Sequence, residues 1–414
     1  MSDNKMTDNN KNNAHLPLAG VKVADFSRLL PGPWCSQLLA DFGAEVIKVE
    51  QPGIGDYARH NPPNYKDTSV YFNSVNTNKR AITLDLSSEE GREVAYRLFK
   101  TSDVVLESFR PGVTGKLKID YAAAKAVNPG LVYCSISGYG QDGPLARVPG
   151  HDLVIQSMTG LMGMNLEREP LPSVPGFQSA DYAAAAMAAI GVLAALTRRK
   201  DSGEGCYLDL SMFDSLMYMC NIVLTGGMSR LAGQDGLPML EAFGGNPRYN
   251  TYQCKDGKPV AVSLLEAHNW AQFCRVIGRD DLIFEDEGFE DRHSDHGDRA
   301  GLFREAIETY CNSHDRADML SVMEEHQIPI SAINAPDEAL AEPVVAARGN
   351  IEYYDHPTEG RVPHLVSPFA RAGLTRAGRS AAPDLGADND SVLVDLGYSA
   401  DERETLWKAG VVTP

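Results

Sequence analysis

The chain lacks the features that mark several large classes of protein. Its 414 residues carry 38 lysines and arginines against 56 aspartates and glutamates, a formal net charge of −18. A surface so short of positive charge does not suit nucleic acid or anionic lipid. The seven cysteines, at positions 35, 134, 206, 220, 254, 274 and 311, are odd in number and form no CxxC pair. Such scatter speaks against a disulfide framework or a zinc site and is expected of buried thiols in a reducing compartment. No G-x-G-x-x-G stands at a strand-to-helix turn and no GxxxxGK[ST] occurs. Neither a dinucleotide cofactor nor ATP is indicated.

A long apolar run is missing too. The most apolar stretch, Tyr182 to Leu196, spans fifteen residues before TRRK, short of the roughly 20 that a membrane span needs. It reads as a buried helix. The opening MSDNKMTDNNKNNAH is polar with no apolar core, so residues 1–15 are expected to be a disordered tail and not a signal or an anchor. A cytoplasmic location is the expectation, with no membrane and no nucleic acid as partner.

What the sequence does have is alternation. The β-rich runs GVKVADFS (20–27), AEVIKVE (44–50), AITLDL (81–86), DVVLES (103–108) and LVYCSIS (131–137) are separated by helical patterns at about 33–42, 88–100 and 120–127. That rhythm predicts an α/β fold, a mostly parallel sheet wrapped by helices, with ligands bound beyond the carboxyl ends of the strands. From about Cys220 the character changes. Residues 225–250 read as loop, residues 251–265 as a hairpin turning at Lys255-Asp256-Gly257, and 269–277, 299–311 and 316–326 as helices. A length of 414 residues predicts more than one core. Residues 16–224 and 346–414 are expected to form a large Rossmann-like domain, and 225–345 a smaller one. The segment after Glu352 is read as β-like and rich in Pro and Gly.

Several residues invite a chemical reading. His151, in PGHDL, and Asp181, in QSADYAAAAM, each close a short loop before a small-residue apolar segment. A base and a carboxylate on two sides of a carbon can move a proton across it, and a carboxylate alone can attack an acyl group. Each also has a plainer reading. His151 can satisfy a helix start, and Asp181 can be the N-cap of a helix beginning at Tyr182. A carboxylate there would be held ionised by the helix dipole. Glu266, in VSLLEAHNW, ends a strand-like run and by itself reads as a cap. Lys79 and Arg80, Arg110 and Arg59 stand at loop ends where phosphate oxygens could be met, or are solvated surface charges. The HSDHGD stretch (293–298) has metal-ligand residue types in a flexible-looking acidic loop, and no metal site is expected there.

Taken in order, LAGVKVADFSRLLPGPWCSQLLADFGAEVIKVEQPGIGDYAR, NTNKRAITLDL, ESFRPG, SGYGQDGP and SGEGCYLDLSMFDSL resemble the class III coenzyme A-transferases (the CaiB/BaiF type), a superfamily that includes the α-methylacyl-CoA racemases. The resemblance covers nearly the whole chain. It implies an interlocked homodimer, a large domain built from both chain ends, and coenzyme A thioester as substrate with no tightly bound cofactor. It makes Asp181 the catalytic residue in either branch. His151 in GHD, with Glu266 supporting its imidazole, is similar to the racemase pattern. Lys79, Arg59, Phe109 and Arg110 match positions that hold the coenzyme A nucleotide and diphosphate, while the basic position after the KVE strand is Gln51 here.

The expectation from sequence is therefore an epimerase of 2-methylacyl-CoA. His151 and Asp181 each serve as base for one enantiomer and acid for the other, and backbone N–H groups at the helix start stabilise the enolate oxygen. The alternative is a CoA-transferase that forms a covalent intermediate on Asp181. A non-catalytic acyl-CoA-binding protein stands third.

Overall fold

The computed structural model describes residues 15–164, 166, 170–234 and 244–413. The tail expected at 1–15 falls, except for His15, outside the described residues. The chain divides into two compact units. The larger comprises Met1–Thr159, Val174–Met219 and Val344–Pro414, and the smaller Gly160–Ser173 with Cys220–Pro343. Against the expected 225–345, the smaller unit begins about five residues earlier and also takes in a short segment before Val174.

The larger unit alternates strand and helix: β1 (Lys22–Phe26), α1 (Pro31–Asp41), β2 (Glu45–Glu50), α2 (Val70–Asn76), β3 (Arg80–Thr83), α3 (Glu89–Thr101), β4 (Val104–Glu107), α4 (Tyr121–Val127) and β5 (Val132–Ser137). Next come α5 (Asp152–Met158), α6 (Ser179–Ser202), β6 (Cys206–Ser211) and α7 (Met212–Met219). All six strands pair in parallel in the order β3-β2-β1-β4-β5-β6. Strand order reverses between β1 and β4, which opens a crevice beyond their carboxyl ends. Strands β4 and β5 are buried along their length, as expected where helices cover both faces of a sheet. Strand β6 escaped the sequence reading because CYLDLS is only half buried and alternates polar with apolar residues.

Helix α6 is longer than the fifteen apolar residues predicted, at 24. It is long and apolar enough to cross a membrane by length and composition, yet half of its most apolar window is buried in the protein. It packs on α1, β5 and β6. Ala183, Ala184, Ala185, Ala188 and Ala189 are all buried, so the small-residue face is a packing face. It begins at Ser179 with Gln178 at the N-cap position, and Gln178 makes no side-chain capping bond. The start predicted at Tyr182 is three residues late, and Asp181 lies inside the first turn.

The chain's last seventy residues rejoin this unit. A hairpin of β10 (Ile351–His356) and β11 (Gly360–Leu365) is followed by helices α11 (Asn389–Asp395) and α12 (Ala400–Lys408). Those two helices correct the β-like reading of the tail. Asn389 accepts the N–H of Thr83 at 2.8 Å and Asp388 that of Ala81 at 2.8 Å, so α11 is fastened along the edge strand β3. Val392, Leu393, Leu406, Val411 and Val412 complete the core with Ile82, Leu84 and Leu98.

In the smaller unit, β7 (Tyr249–Gln253), β8 (Pro259–Ser263) and β9 (Ile330–Ala332) form an antiparallel sheet. It is packed by α8 (Ala267–Val276), α9 (Ala300–Ser313) and α10 (Arg316–Glu325) around Trp270, Phe273, Phe303 and Met319. Arg248 is wholly buried there, paired with Glu287 at 2.7 Å and donating to the carbonyls of Leu264 and Leu265. Those bonds fix the backbone just ahead of Glu266.

Candidate active site and ligand cavity

The larger unit holds a cavity of about 290 Å³ at the carboxyl ends of β1 to β4, lined by Phe26, Arg28, Val49, Leu84 and Phe109 among others. This is the strand-order reversal where open α/β sheets bind ligands. A network of buried charge lies beneath it. Lys48 pairs with Asp56 at 2.8 Å, Arg59 pairs with Glu50 at 2.7 Å, and Lys79 pairs with Asp25 at 3.3 Å. Burial alone would raise the Asp25 carboxyl, but Lys79, Lys48 and the hydroxyls of Ser27 and Ser36 together hold it below its ordinary value. Burial lowers Lys79 to about 8, against the pull of Asp25. Fully buried ion pairs are costly to break singly, so the network fixes the loops that form the cavity wall.

In this geometry two residues expected to meet phosphate have partners within the protein. The Lys79 ammonium is buried and donates to Asp25, Ser36, Asn76 and the carbonyl of Pro33. The Arg59 guanidinium is spent on Glu50 and the carbonyl of Pro383, over the ring of Phe72. Both brace loops from within. Arg110 is exposed and Phe109 lines the cavity. The Phe109 N–H is held by Glu107 at 2.8 Å, and burial pushes that carboxyl up to about 7.

A second arrangement forms where α5 and α6 begin. His151 sits at the N-cap position of α5. Its carbonyl accepts from Val154 and Ile155, while its exposed imidazole makes no capping bond. The next residue, Asp152, accepts the N–H of Ala180 at 2.8 Å. Gln156 donates to the other Asp152 oxygen at 2.5 Å and to the carbonyl of Phe177 at 2.9 Å. The residue after His151 therefore touches the residue before Asp181, and the two expected catalytic groups are brought to adjoining helix starts.

Asp181 is mostly buried beside aromatic rings. Tyr182 stacks on Phe177 at 5.0 Å and meets Trp34 edge-on at 5.1 Å. Burial, with the nearby charge of Asp152, pushes the Asp181 carboxyl up to about 7. Burial thus acts on Asp181 in the opposite sense to the helix dipole, which favours the ionised form. Asp181 in turn helps raise the Tyr71 phenol, after burial, which makes Tyr71 a neighbour of Asp181 that sequence reasoning missed. At the helix start the N–H groups of Ser179, Ala180 and Tyr182 go to Phe177, Asp152 and Gln178. They are committed within the protein and not free for an oxyanion. Among the described residues the Ser179 hydroxyl and the Gln156 carbonyl oxygen are buried without a partner. Glu266 belongs to the smaller unit, where it pairs with Arg292 at 3.0 Å and accepts from Asn269.

The larger unit is a doubly wound α/β sheet with a cavity at its reversal point and, apart from it, a carboxyl raised by burial at a helix start. The chain belongs to CoA-transferase family III, which it matches over residues 18–389. It is 31% identical to the succinate–glutarate CoA-transferase of Agrobacterium fabrum over 92% of this chain and 96% of that one. It is 30% identical to the formyl-CoA:oxalate CoA-transferase of Escherichia coli O157:H7 over 93% and 97%. A CaiB/BaiF family protein from Brucella suis shares the fold at TM-score 0.78 and 30% identity, covering 92% of this chain and 99% of that one. The protein Rv3272 from Mycobacterium tuberculosis does so at 0.77 and 27%, covering 91% and 99%.

Proposed function

We propose that the protein moves coenzyme A from an acyl-CoA to a small carboxylic acid through covalent intermediates on Asp181. The observation that carries this is a mostly buried carboxyl raised to about 7 at the start of α6, in a chain whose curated relatives include CoA-transferases. A carboxylate of raised pKa is a stronger nucleophile once ionised. Ionised Asp181 attacks the thioester carbonyl, the C–S bond breaks, and a mixed anhydride forms with the CoA thiolate as leaving group. The thiolate then attacks the Asp181 carbonyl, expelling the donor acid as its carboxylate and leaving an aspartyl-CoA thioester. An acceptor carboxylate reverses both steps. Each stage conserves charge and needs no redox partner. The relatives' names support small acids, some of them dicarboxylic, as donors and acceptors.

This reading replaces the expected epimerase, whose support was the GHD motif together with Glu266, because the curated relatives reported above are CoA-transferases. In the fold the motif's aspartate is a structural clamp, accepting the N–H of Ala180. A homodimer is part of the proposal. Leu153, Val154 and Met158 on α5, with Met217, Tyr218 and Met219 on α7, are large apolar side chains left exposed in one chain, and a second copy would cover them. The seven free cysteines support a cytoplasmic site of action.

The test is incubation with succinyl-CoA and a panel of acceptor acids in D₂O, followed by hydroxylamine and peptide mass analysis. New acyl-CoA and a modified peptide containing Asp181 are expected. A parallel incubation with a 2-methylacyl-CoA in D₂O without any acceptor acid tests the other reading, and deuterium at its Cα would restore the epimerase.

A further inference from the structure

Asp152 and Gln156 stand one turn apart on α5 and both face the start of α6, against which that helix packs. The start of α6 is held from outside, since Gln178 at its N-cap position makes no side-chain bond. Asp152 supplies one tie, to the N–H of Ala180. Gln156 supplies the other. It is 1% exposed, and its amide nitrogen donates to Asp152 at 2.5 Å and to the carbonyl of Phe177 at 2.9 Å. The Phe177 ring in turn stacks on Tyr182 with the two planes 6° apart. Asp181 makes none of these contacts itself, yet it sits between them, one residue after Ala180 and one before Tyr182. The two tethers that flank it meet at a single amide group.

The partners explain why that group is an amide. Both are acceptors, a carboxylate and a carbonyl, so one atom carrying two N–H donors satisfies them together. They also fix which way the amide faces, and its own oxygen is left buried with no partner among the described residues. An unbonded buried oxygen costs free energy. An apolar residue of the same size would avoid that cost but leave Asp152 and Phe177 each short of a donor. A glutamate could donate one bond at most, and only while protonated.

We propose that Gln156 is a positioning residue for the transfer reaction, joining the two tethers that flank Asp181 and so fixing where its carboxyl meets the thioester carbonyl. The proposal rests on the transferase reading above and deepens it. The same fixing keeps the carboxyl secluded, and seclusion is the main cause of its rise to about 7.

Two variants of the full-length protein test this, with transfer from succinyl-CoA as the assay. Gln156→Met keeps the length of the side chain and removes both donors. Its kcat/KM should fall by about 10- to 100-fold, the scale of a misplaced reacting group. The rise of kcat/KM with pH should also move down by about one unit as water reaches Asp181. Tyr71 and Tyr182, the other titrating neighbours of Asp181 besides Asp152, have raised phenols and stay neutral over that range. Hydrogen–deuterium exchange over residues 174–182 should quicken, which reads the tethers without catalysis. Gln156→Glu has a different signature. While protonated, its carboxyl donates one bond to Asp152, so at pH 6 the variant should transfer at a rate between those of wild type and Gln156→Met. As it ionises against Asp152 that bond is lost, and activity should fall at alkaline pH, where wild type holds its plateau. A residue that only filled space would lower stability and leave the shape of both profiles alone. If Gln156→Met does not fold, the alkaline fall of Gln156→Glu decides. A folded Gln156→Met protein with kcat/KM within twofold of wild type, or a Gln156→Glu profile without the fall, overturns the role of Gln156 and leaves the transferase reading intact. Wild-type protein that transfers no CoA overturns both.

Discussion

One carboxylate oxygen of Asp152 accepts the backbone N–H of Ala180 at 2.8 Å, so the helix that carries Asp181 is capped by a residue from another helix. The same carboxylate raises the pKa of Asp181, second to burial. A single side chain therefore does two separable things: it holds the first turn in place and it tunes the group within it.

Substitutions at Asp152 should pull those two effects apart. Asp152→Asn keeps an acceptor for Ala180 and removes the charge. The rise of kcat/KM with pH, which reports the free enzyme's Asp181, should then move down by about one pH unit. Asp152→Ala loses the cap as well and should also destabilise the fold by about 1 kcal/mol. A pH–rate profile and a urea titration for each variant measure the two effects, and an unshifted profile in Asp152→Asn would remove the charge coupling.

The raised pKa of Asp181 has a consequence for stability. With an ordinary value of 3.8 in the unfolded chain and about 7 in the fold, the native state binds more protons than the unfolded state between those limits. Stability contributed by the neutral carboxyl is full below pH 3.8, and it is lost as pH rises through 7. Asp181→Asn, which cannot ionise, should be more stable than wild type above pH 7 by about 2–4 kcal/mol, with the difference vanishing near pH 4. The same variant should have no transferase activity. Denaturant melts of both proteins at pH 4.5 and 8 provide the measurement, and equal stability at pH 8 would contradict the burial of an ionisable group.

Much of the sheet was legible because each of β1 to β5 is a β-rich run between turn signals. The misplaced start of α6 has a physical cause. Helix starts are read from a local cap, and Gln178 is not one. The capping oxygen comes from Asp152, so the nearest good capping residue, Asp181, was assigned the work. Lys79 and Arg59 show the same limit. In sequence a basic residue at a loop end looks alike whether it meets solvent, phosphate or a buried carboxylate, and only the fold shows their partners Asp25 and Glu50. The helix at Ala400–Lys408 had a readable signal, the capping box of Ser399 and Glu402, obscured by the Pro- and Gly-rich stretch before it.

That distinction can be tested at Lys79. As a phosphate contact, its loss would weaken CoA binding and leave folding alone. As a buried partner of Asp25, its loss leaves a carboxylate dependent on the remaining Lys48 and serine contacts. Lys79→Met should destabilise the protein by about 3–5 kcal/mol, the usual result of removing one member of a buried pair. Thermal melts with and without saturating CoA distinguish the cases. A variant that melts like the wild type but binds CoA weakly would return Lys79 to the ligand.

His151 separates the two chemistries that sequence alone left open. Its imidazole is exposed at the start of α5 and its capping role is carried by the backbone carbonyl, so His151→Gln disturbs no internal bond and the fold should be unchanged. Acyl transfer requires one nucleophile, and in the proposed reaction that nucleophile is Asp181. Transfer in His151→Gln should stay within about tenfold of wild type, since the side chain can do no more than help place the substrate. Epimerisation requires proton donors on both faces of the carbon, and loss of one should lower net inversion by at least the roughly 10²-fold typical of a general acid–base. Assaying both activities on the same preparation, with Asp181→Asn as the inactive reference, makes the comparison internal. Transfer that collapses together with that reference would place the imidazole in the chemical step.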